Sequence, residues 1–499
     1  MKMKHLAVAA TSAAVCFAAN ASSQPRFEPT WASLEANYRV PEWYENAKFG
    51  IFCHWGVQCV PEAGDWYGRN LYNPGSGQGK FHRNYYGDPK EFGLKDLIPR
   101  WKAERWNPEE LCALYKRMGA RYVVAMANHH DNFDNWNSTH QPWNSVNMGP
   151  KRDIIGDWGK AVKAAGMHFG VSFHAVHAWT WFEPAQDYDG NLVAADGKGK
   201  WWEGYDPQQL YCQQHEPSRN FRNYGEIHKQ WHWEVRTGVS IPSESYRKNI
   251  KDRVFELVDV YKPDLLYFDD TVLPFYNIDD TGLEIAAHFY NVNPNAVLNG
   301  KILNEAQRKA MVWDVERGTP PKPMSPHWQT DTCIGAWHYT RSIAERGGYK
   351  SAAEVLRMLA DIVAKNGNLL LSVPIRPDGT IDPAERKICE DIAAWMAVNG
   401  EAIFDTVPWT TCGEGPQLAN APELSAQGFN EGRMPKPTEK DVRYTASKDG
   451  QTLYAIVLVP PAEGAAPEFA AAKAANFTVA ERLAQVGSAP AVWRLRRDE

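Results

Sequence analysis

The 499-residue chain has no excess of positive charge: Lys and Arg number 54 against 60 for Asp and Glu, a net charge of −6. That balance excludes a whole-chain nucleic-acid footprint, which needs clustered cations to displace counterions from phosphate. There is no C-x-x-C pair, and one of the eight cysteines, Cys16, sits in an apolar leader. The other seven (positions 53, 59, 112, 212, 333, 389 and 412) are odd in number and scattered. Neither a zinc ribbon nor a disulfide framework is indicated, which leaves room for one or two bridges. Beyond the leader there is no run of 18 apolar residues, no block of like charge and no repeat, so membrane-spanning, disordered and solenoid classes drop out. A G-x-G-x-x-G or P-loop after the first strand is missing, as is H-E-x-x-H.

What is present begins with targeting. Lys2, Lys4 and His5 precede apolar residues 6–19, and Ala19-Asn20-Ala21 has the small-x-small pattern of a cleavage site. Residues 1–21 therefore read as a secretory signal peptide, with the mature chain secreted or periplasmic and free of the membrane after cleavage. The 43% hydrophobic content is ample for a core, and the 21 Trp are an excess of flat rings suited to stacking on a partly apolar ligand.

From Lys48 onward short apolar runs alternate with amphipathic helices. Strands are expected over 49–55, 122–127, 168–173, 264–268 and 368–373, and weaker ones over 295–298 and 311–315. Asn107, Pro108 and Glu110 supply an N-cap, an N1 proline and an acid for a helix that carries Leu111, Leu114, Tyr115 and Met118 on one face. Helices are also expected over 154–165 and 245–261, and after a Ser351/Glu354 capping box. Repeated βα units mean a parallel sheet, and polar residues cluster after strand ends: His54, then His129, His130 and Asp131, then His174 and His177, then Asp269 and Asp270. Strand ends converge on one face of a (β/α)₈ TIM-like barrel, so that α/β fold is expected over 22–405, followed by a small all-β domain over 406–499. Residues 178–244, with Trp179, Trp181, Trp201, Trp202, Trp231 and Trp233, are too long for a plain connection and read as an insertion near the active site, one that walls the leaving-group side or packs on itself.

A ring of His and Asp at strand ends suits either a metal hydrolase, with His54, His129 and His174 as ligands, or a metal-free acid/base enzyme. Adjacent His129 and His130 on a strand end point to opposite sides and are not expected to share an ion.

The motifs then become recognisable. G-I-F-C-H-W-G (50–56) with Asp65-Trp66-Tyr67, N-H-H-D-N-F (128–133), G-P-K-R-D (149–153), D-L-L-Y-F-D (264–269), G-N-L-L-L-S-V (367–373) and N-G-E-A-I-F (399–404) together resemble glycoside hydrolase family 29, the α-L-fucosidases. They run in order through about residues 40–409. The resemblance implies a retaining exo-glycosidase without cofactor or metal, whose Asp269 attacks the anomeric carbon of a terminal α-L-fucosyl, or closely related α-L-galactosyl, unit of an oligo- or polysaccharide. It implies that His54, His129, His130 and Trp66 hold sugar hydroxyls and that Phe52 meets the C6 methyl. Tyr267, Asp65 and Lys301 fall on neighbouring substrate-binding positions.

Such an enzyme needs a second carboxyl group to protonate the leaving oxygen. In W-Q-T-D (328–331) the family's acid is replaced by Gln329, which cannot give a proton. Glu316, at the end of the sixth strand, resembles the acid of other members and is the expected general acid/base, with Asp331 as the alternative. Lys301 stands where an Arg is usual, and Asp65 where Glu is frequent. The Gln329 replacement also raises a third reading, a non-catalytic fucose-binding homologue.

Overall fold

The computed structural model describes residues 26–223, 232–269, 272–425, 428–462, 465 and 467–498. Residues 1–21, read above as a signal peptide, lie outside them, as do Asp270 and Trp231. The expected barrel is there: β1 (Phe49–Cys53), β2 (Tyr122–Asn128), β3 (His168–Phe173), β4 (Leu265–Phe268), β5 (Val297–Gly300), β6 (Val312–Glu316), β7 (Trp328–Cys333) and β8 (Gly367–Ser372) close into one parallel barrel in chain order. β8 pairs back with β1. Because every pair is parallel, all eight C-terminal ends open on one face.

Strand alternation divides the apolar residues between two cores. On β1, Phe49, Ile51 and Cys53 face the surrounding helices, whereas Phe52 joins Tyr122, Val124, Leu265, Tyr267, Val297, Val312 and Leu370 inside the barrel. Gly50 makes the floor possible. A Cβ there would stand 2.3 Å from Tyr122 Cζ, so only glycine lets that ring cross the barrel.

The helices begin where their caps stand. Asn107 Oδ1 accepts the Glu110 N–H (3.0 Å) before Pro108–Arg117, Asp153 caps Ile154–Ala164, Ser243 caps Glu244–Tyr261, and Ser351 and Glu354 form a reciprocal box before Ala352–Ala364. β7 has no apolar run to announce it, because its alternate residues Gln329 and Asp331 point into the barrel and are polar yet buried.

The second sheet is five-stranded and antiparallel, in the order β12-β13-β11-β10-β9, built from β9 (Thr406–Glu414), β10 (Val442–Ser447), β11 (Thr452–Val457), β12 (Phe477–Arg482) and β13 (Ala491–Arg497). It docks on the Ala352–Ala364 helix, where Asp361 is buried between Lys365 (2.8 Å) and Arg443 of β10. All seven described cysteines are free thiols. No helix among the described residues is long and apolar enough to cross a membrane.

Candidate active site

One cation organises the mouth of the barrel. Lys301 follows β5, and its Nζ lies 3.0 Å from Asp314 Oδ2, 3.2 Å from Glu316 Oε2, 3.3 Å from Asp331 Oδ2 and 3.6 Å from Asp269 Oδ1. Four carboxylates thus share one ammonium. Asp314 and Glu316 are two apart on β6, and both face inward; their register partners on β7 are Gln329 and Asp331. The cluster therefore has two levels, Asp314 with Gln329 below and Glu316 with Asp331 above.

Tyr267 ties the two levels to β4. Its hydroxyl donates to Asp331 Oδ2 (2.7 Å) and stands 3.4 Å from both Asp269 Oδ1 and Asp314 Oδ2.

Burial and crowding decide which of these groups is ionised. Burial pushes Asp314 up to about 7, helped by the Asp331 charge and opposed by Lys301. Glu316 is raised above the usual carboxylate range by burial and by Asp269, and Asp331 by burial and by Glu316, with Lys301 opposing both. Burial works against the charge on Lys301, but the surrounding carboxylates outweigh it and hold the ammonium well above the usual lysine range. A carboxyl group that keeps its proton near neutral pH is a proton donor.

Opposite β6 and β7 stand the imidazoles. Gln58 fixes one of them: its Oε1 accepts the Gly68 N–H (3.1 Å), so its amide nitrogen faces His129 Nδ1 (3.0 Å). An amide nitrogen only donates, so Nδ1 accepts and Nε2 carries the hydrogen. Burial and neighbouring imidazoles hold His54 and His129 well below the usual histidine range, hence neutral. His130 Nδ1 donates to the His174 carbonyl (2.8 Å), while its Nε2 and His174 Nδ1 approach Asp269 Oδ2 at 3.8 and 3.3 Å.

Metal-ligand geometry is also present. Ligand atoms of His54, His129 and His174 lie within 4.8 Å of one another, as do those of His130, His174 and Asp269. The Gln58 contact, however, places a hydrogen on His129 Nε2, the nitrogen left to face an ion. A ring held in that tautomer suits a hydroxyl oxygen better than a metal.

These groups line one cavity. His54, Asp65, Trp66 and His129 form one side, Tyr267, Asp269, Glu316 and Asp331 the other, and Trp337 and Phe429 complete it. Trp66 holds a left-handed backbone (φ 62°), a conformation that a bulky residue adopts only where surrounding packing imposes it. Asp65 is occupied: its carboxylate accepts the peptide N–H groups of Trp337 (3.2 Å) and His338 (2.6 Å), which fixes the loop carrying Trp337.

The structure places some expected site residues out of the open cavity, and it corrects the reading of the His129–His130 pair. Phe52 does not line the cavity; its ring is wholly buried under His54 and Tyr267, at 4.1 and 5.1 Å between centroids. Lys301 is enclosed by carboxylates rather than open to a ligand. His130 is fully buried and faces Asp269. The rings of His129 and His130 do not point apart but meet at 4.5 Å, because β2 ends at Asn128 and strand alternation no longer applies.

Gln329 is not at the acid's level. Its Oε1 accepts from Tyr44 (2.6 Å) and Tyr122 (2.8 Å), and its Nε2 donates to Asp314 (2.7 Å), all in the barrel floor. The Gln329 replacement therefore removes no carboxyl group from the cavity. The Trp-rich insertion contributes no described residue to the cavity lining. Trp233 is buried against His177 (5.4 Å, 13°), Trp201 is 43% exposed with its indole on Asp96, and Trp181 packs behind His130 (5.8 Å).

Sequence reasoning missed Asp314, Gln58, Trp337 and Phe429. Inward alternation from Glu316 was the one available signal for Asp314. Phe429 had none, because it arrives from the β9–β10 connection, far along the chain.

A family model described as Alpha-L-fucosidase matches residues 14–401. An alpha-L-fucosidase of Branchiostoma floridae is 28% identical over 462 residues, which cover 89% of this chain and 84% of that protein. The tissue alpha-L-fucosidase of Homo sapiens is 28% identical over 397 residues, 77% of this chain and 73% of that protein. Among solved structures, the Thermotoga maritima alpha-fucosidase in complex with fucose superposes with a TM-score of 0.65 at 24% identity, covering 95% of this chain and 96% of that one, a likeness of fold.

Proposed function

The chain belongs to the α-L-fucosidase family, and from that premise we propose that it is a retaining exo-glycosidase, an α-L-fucosidase that works through a covalent glycosyl-enzyme on Asp269. One observation supports the retaining reading above all. With Lys301 Nζ 3.6 Å from Asp269 Oδ1 and 3.2 Å from Glu316 Oε2, the two oxygens are at most about 7 Å apart, which accommodates the roughly 5–5.5 Å of a retaining pair.

Each group has a role that its surroundings fit. Asp269, flanked by Lys301, His130 and His174, attacks the anomeric carbon while Glu316, whose pKa burial and Asp269 push upward against Lys301, gives its proton to the departing oxygen. Glu316 then takes a proton from water, which releases the sugar with its configuration kept. Neutral His54 and the Nε2–H of His129 hold hydroxyls of the terminal unit, with Trp66 beside them. The substrate is a carbohydrate with terminal α-L-fucose, or α-L-galactose, met outside the cytoplasm if residues 1–21 are removed on export.

A panel of nitrophenyl glycosides, with the first-formed anomer followed by NMR, tests this reading. The expected result is turnover of the α-L-fucoside with the α anomer released first; a β anomer, or preference for an unrelated glycoside, overturns it.

A further inference from the structure

Phe429 is a large apolar side chain that is 43% exposed, yet it borders a cavity lined by four carboxylates. Its position is built with care. Gly428 forms a parallel bridge to Glu316, the Phe429 N–H donates to the Glu316 carbonyl (2.8 Å), and the Glu431 N–H donates to the Arg317 carbonyl (3.0 Å). Gly428 has φ +110°, and a Cβ there would stand 2.7 Å from the Glu316 carbonyl oxygen, so glycine is what permits this close approach. The Asn430 side chain pairs with both the N–H (2.9 Å) and the carbonyl (2.8 Å) of Thr319. Glu431 accepts from Thr332 Oγ1 (2.6 Å) and pairs with Lys350 (2.8 Å). A connection that belongs to the second sheet is thus fastened to the end of β6.

The barrel order then says what the ring faces. β6 is four strands round from β2, so Glu316 and Phe429 stand across the cavity from His129. If the imidazoles grip the terminal sugar, the leaving group departs on the side of the acid, where Phe429 stands. A pyranose has a face of C–H groups, and an exposed aromatic ring is the surface that such a face covers best.

We propose that Phe429 is the platform for the leaving group, stacking on the sugar unit to which the terminal residue is joined. The inference deepens the fucosidase reading and rests on it. Phe429 is a specificity-determining residue, taking no part in bond breaking, and the second sheet thereby completes the binding site of the barrel.

The test compares two substrates of the intact enzyme. α-L-Fucosyl fluoride has no sugar leaving group, whereas an α-L-fucosyl disaccharide places a pyranose on the ring. Phe429→Ala is expected to lower kcat/KM on the disaccharide by roughly three- to tenfold and to leave the fluoride within about twofold of wild type. Phe429→Trp is expected to restore disaccharide turnover. Equal losses on both substrates assign the residue to holding β6 and overturn the platform, as does an unchanged disaccharide rate. A wild-type enzyme inert to the fluoride and to aryl fucosides sinks the fucosidase reading itself and this inference with it, so the two failures are told apart.

Discussion

Glu316 and Asp331 are register partners on neighbouring strands and touch the same Lys301 ammonium, at 3.2 and 3.3 Å, but Glu316 keeps 16% of its side chain accessible and Asp331 only 3%. Asp331 is further engaged by the Tyr267 hydroxyl. The acid that must reach a glycosidic oxygen is the one open to it. Glu316→Ala is expected to lose about 10³-fold on a fucosyl disaccharide, whose alkoxide leaving group needs the proton, and much less on an aryl fucoside. Azide is expected to accelerate the aryl reaction. The same signature in Asp331→Ala instead would move the acid/base role to Asp331.

Asp269→Ala is expected to reduce turnover of an aryl fucoside by roughly 10⁴-fold while leaving the thermal transition in place. Added azide restores product as a glycosyl azide of inverted configuration. If azide yields no such product while the fold is intact, another group is the nucleophile.

On the proposed mechanism the alkaline limb of kcat/KM is expected to follow ionisation of Glu316, whose pKa is raised in part by Asp314 beneath it. Removing that charge makes Glu316 easier to ionise. Asp314→Asn therefore moves the alkaline limb to lower pH, and a limb that stays in place across a pH series refutes the coupling.

Because Gln58 directs the hydrogen of His129 to Nε2, the imidazole ring is poised for hydroxyls and not for an ion. Dialysis against a chelator is expected to leave turnover unchanged. Activity that falls and returns with added zinc would revive the metal-dependent alternative through His54, His129 and His174.

At the contact with the second sheet, burial alone would raise the Asp361 carboxyl, but Lys365 and Arg443 hold it well below the usual carboxylate range. A depressed pKa contributes stability that is present above the unfolded value, near 3.9, and is lost as pH falls toward the folded one. Asp361→Asn is expected to cost about 3 kcal/mol at pH 7, since it leaves two buried cations short of their counter-charge. In urea titrations at pH 7 and pH 3 the gap to wild type should narrow at the lower pH. A constant gap would remove the ionic explanation.

Local signals made the frame legible. The caps at Asn107 and Ser351 start helices through hydrogen bonds within three residues, and the apolar runs of β1 to β4 and β8 are long enough to declare themselves. The motifs around His54, His129 and Asp269 were readable for the same reason, because each chemical group stands beside the strand that carries it.

What the sequence by itself determined is therefore the alternation of strand and helix, the closure into a barrel that this alternation implies, and the family to which its motifs point. Only the tertiary structure decided the rest. β7 hides because its inward residues Gln329 and Asp331 are polar, and a buried polar strand is stable only once Tyr44, Tyr122, Tyr267 and Lys301 arrive from other parts of the chain to satisfy it. The same holds for the choice between Glu316 and Asp331, for the burial of Phe52 and for the place of Phe429. Each depends on which side chains meet across the barrel, over separations in the chain that no local pattern spans.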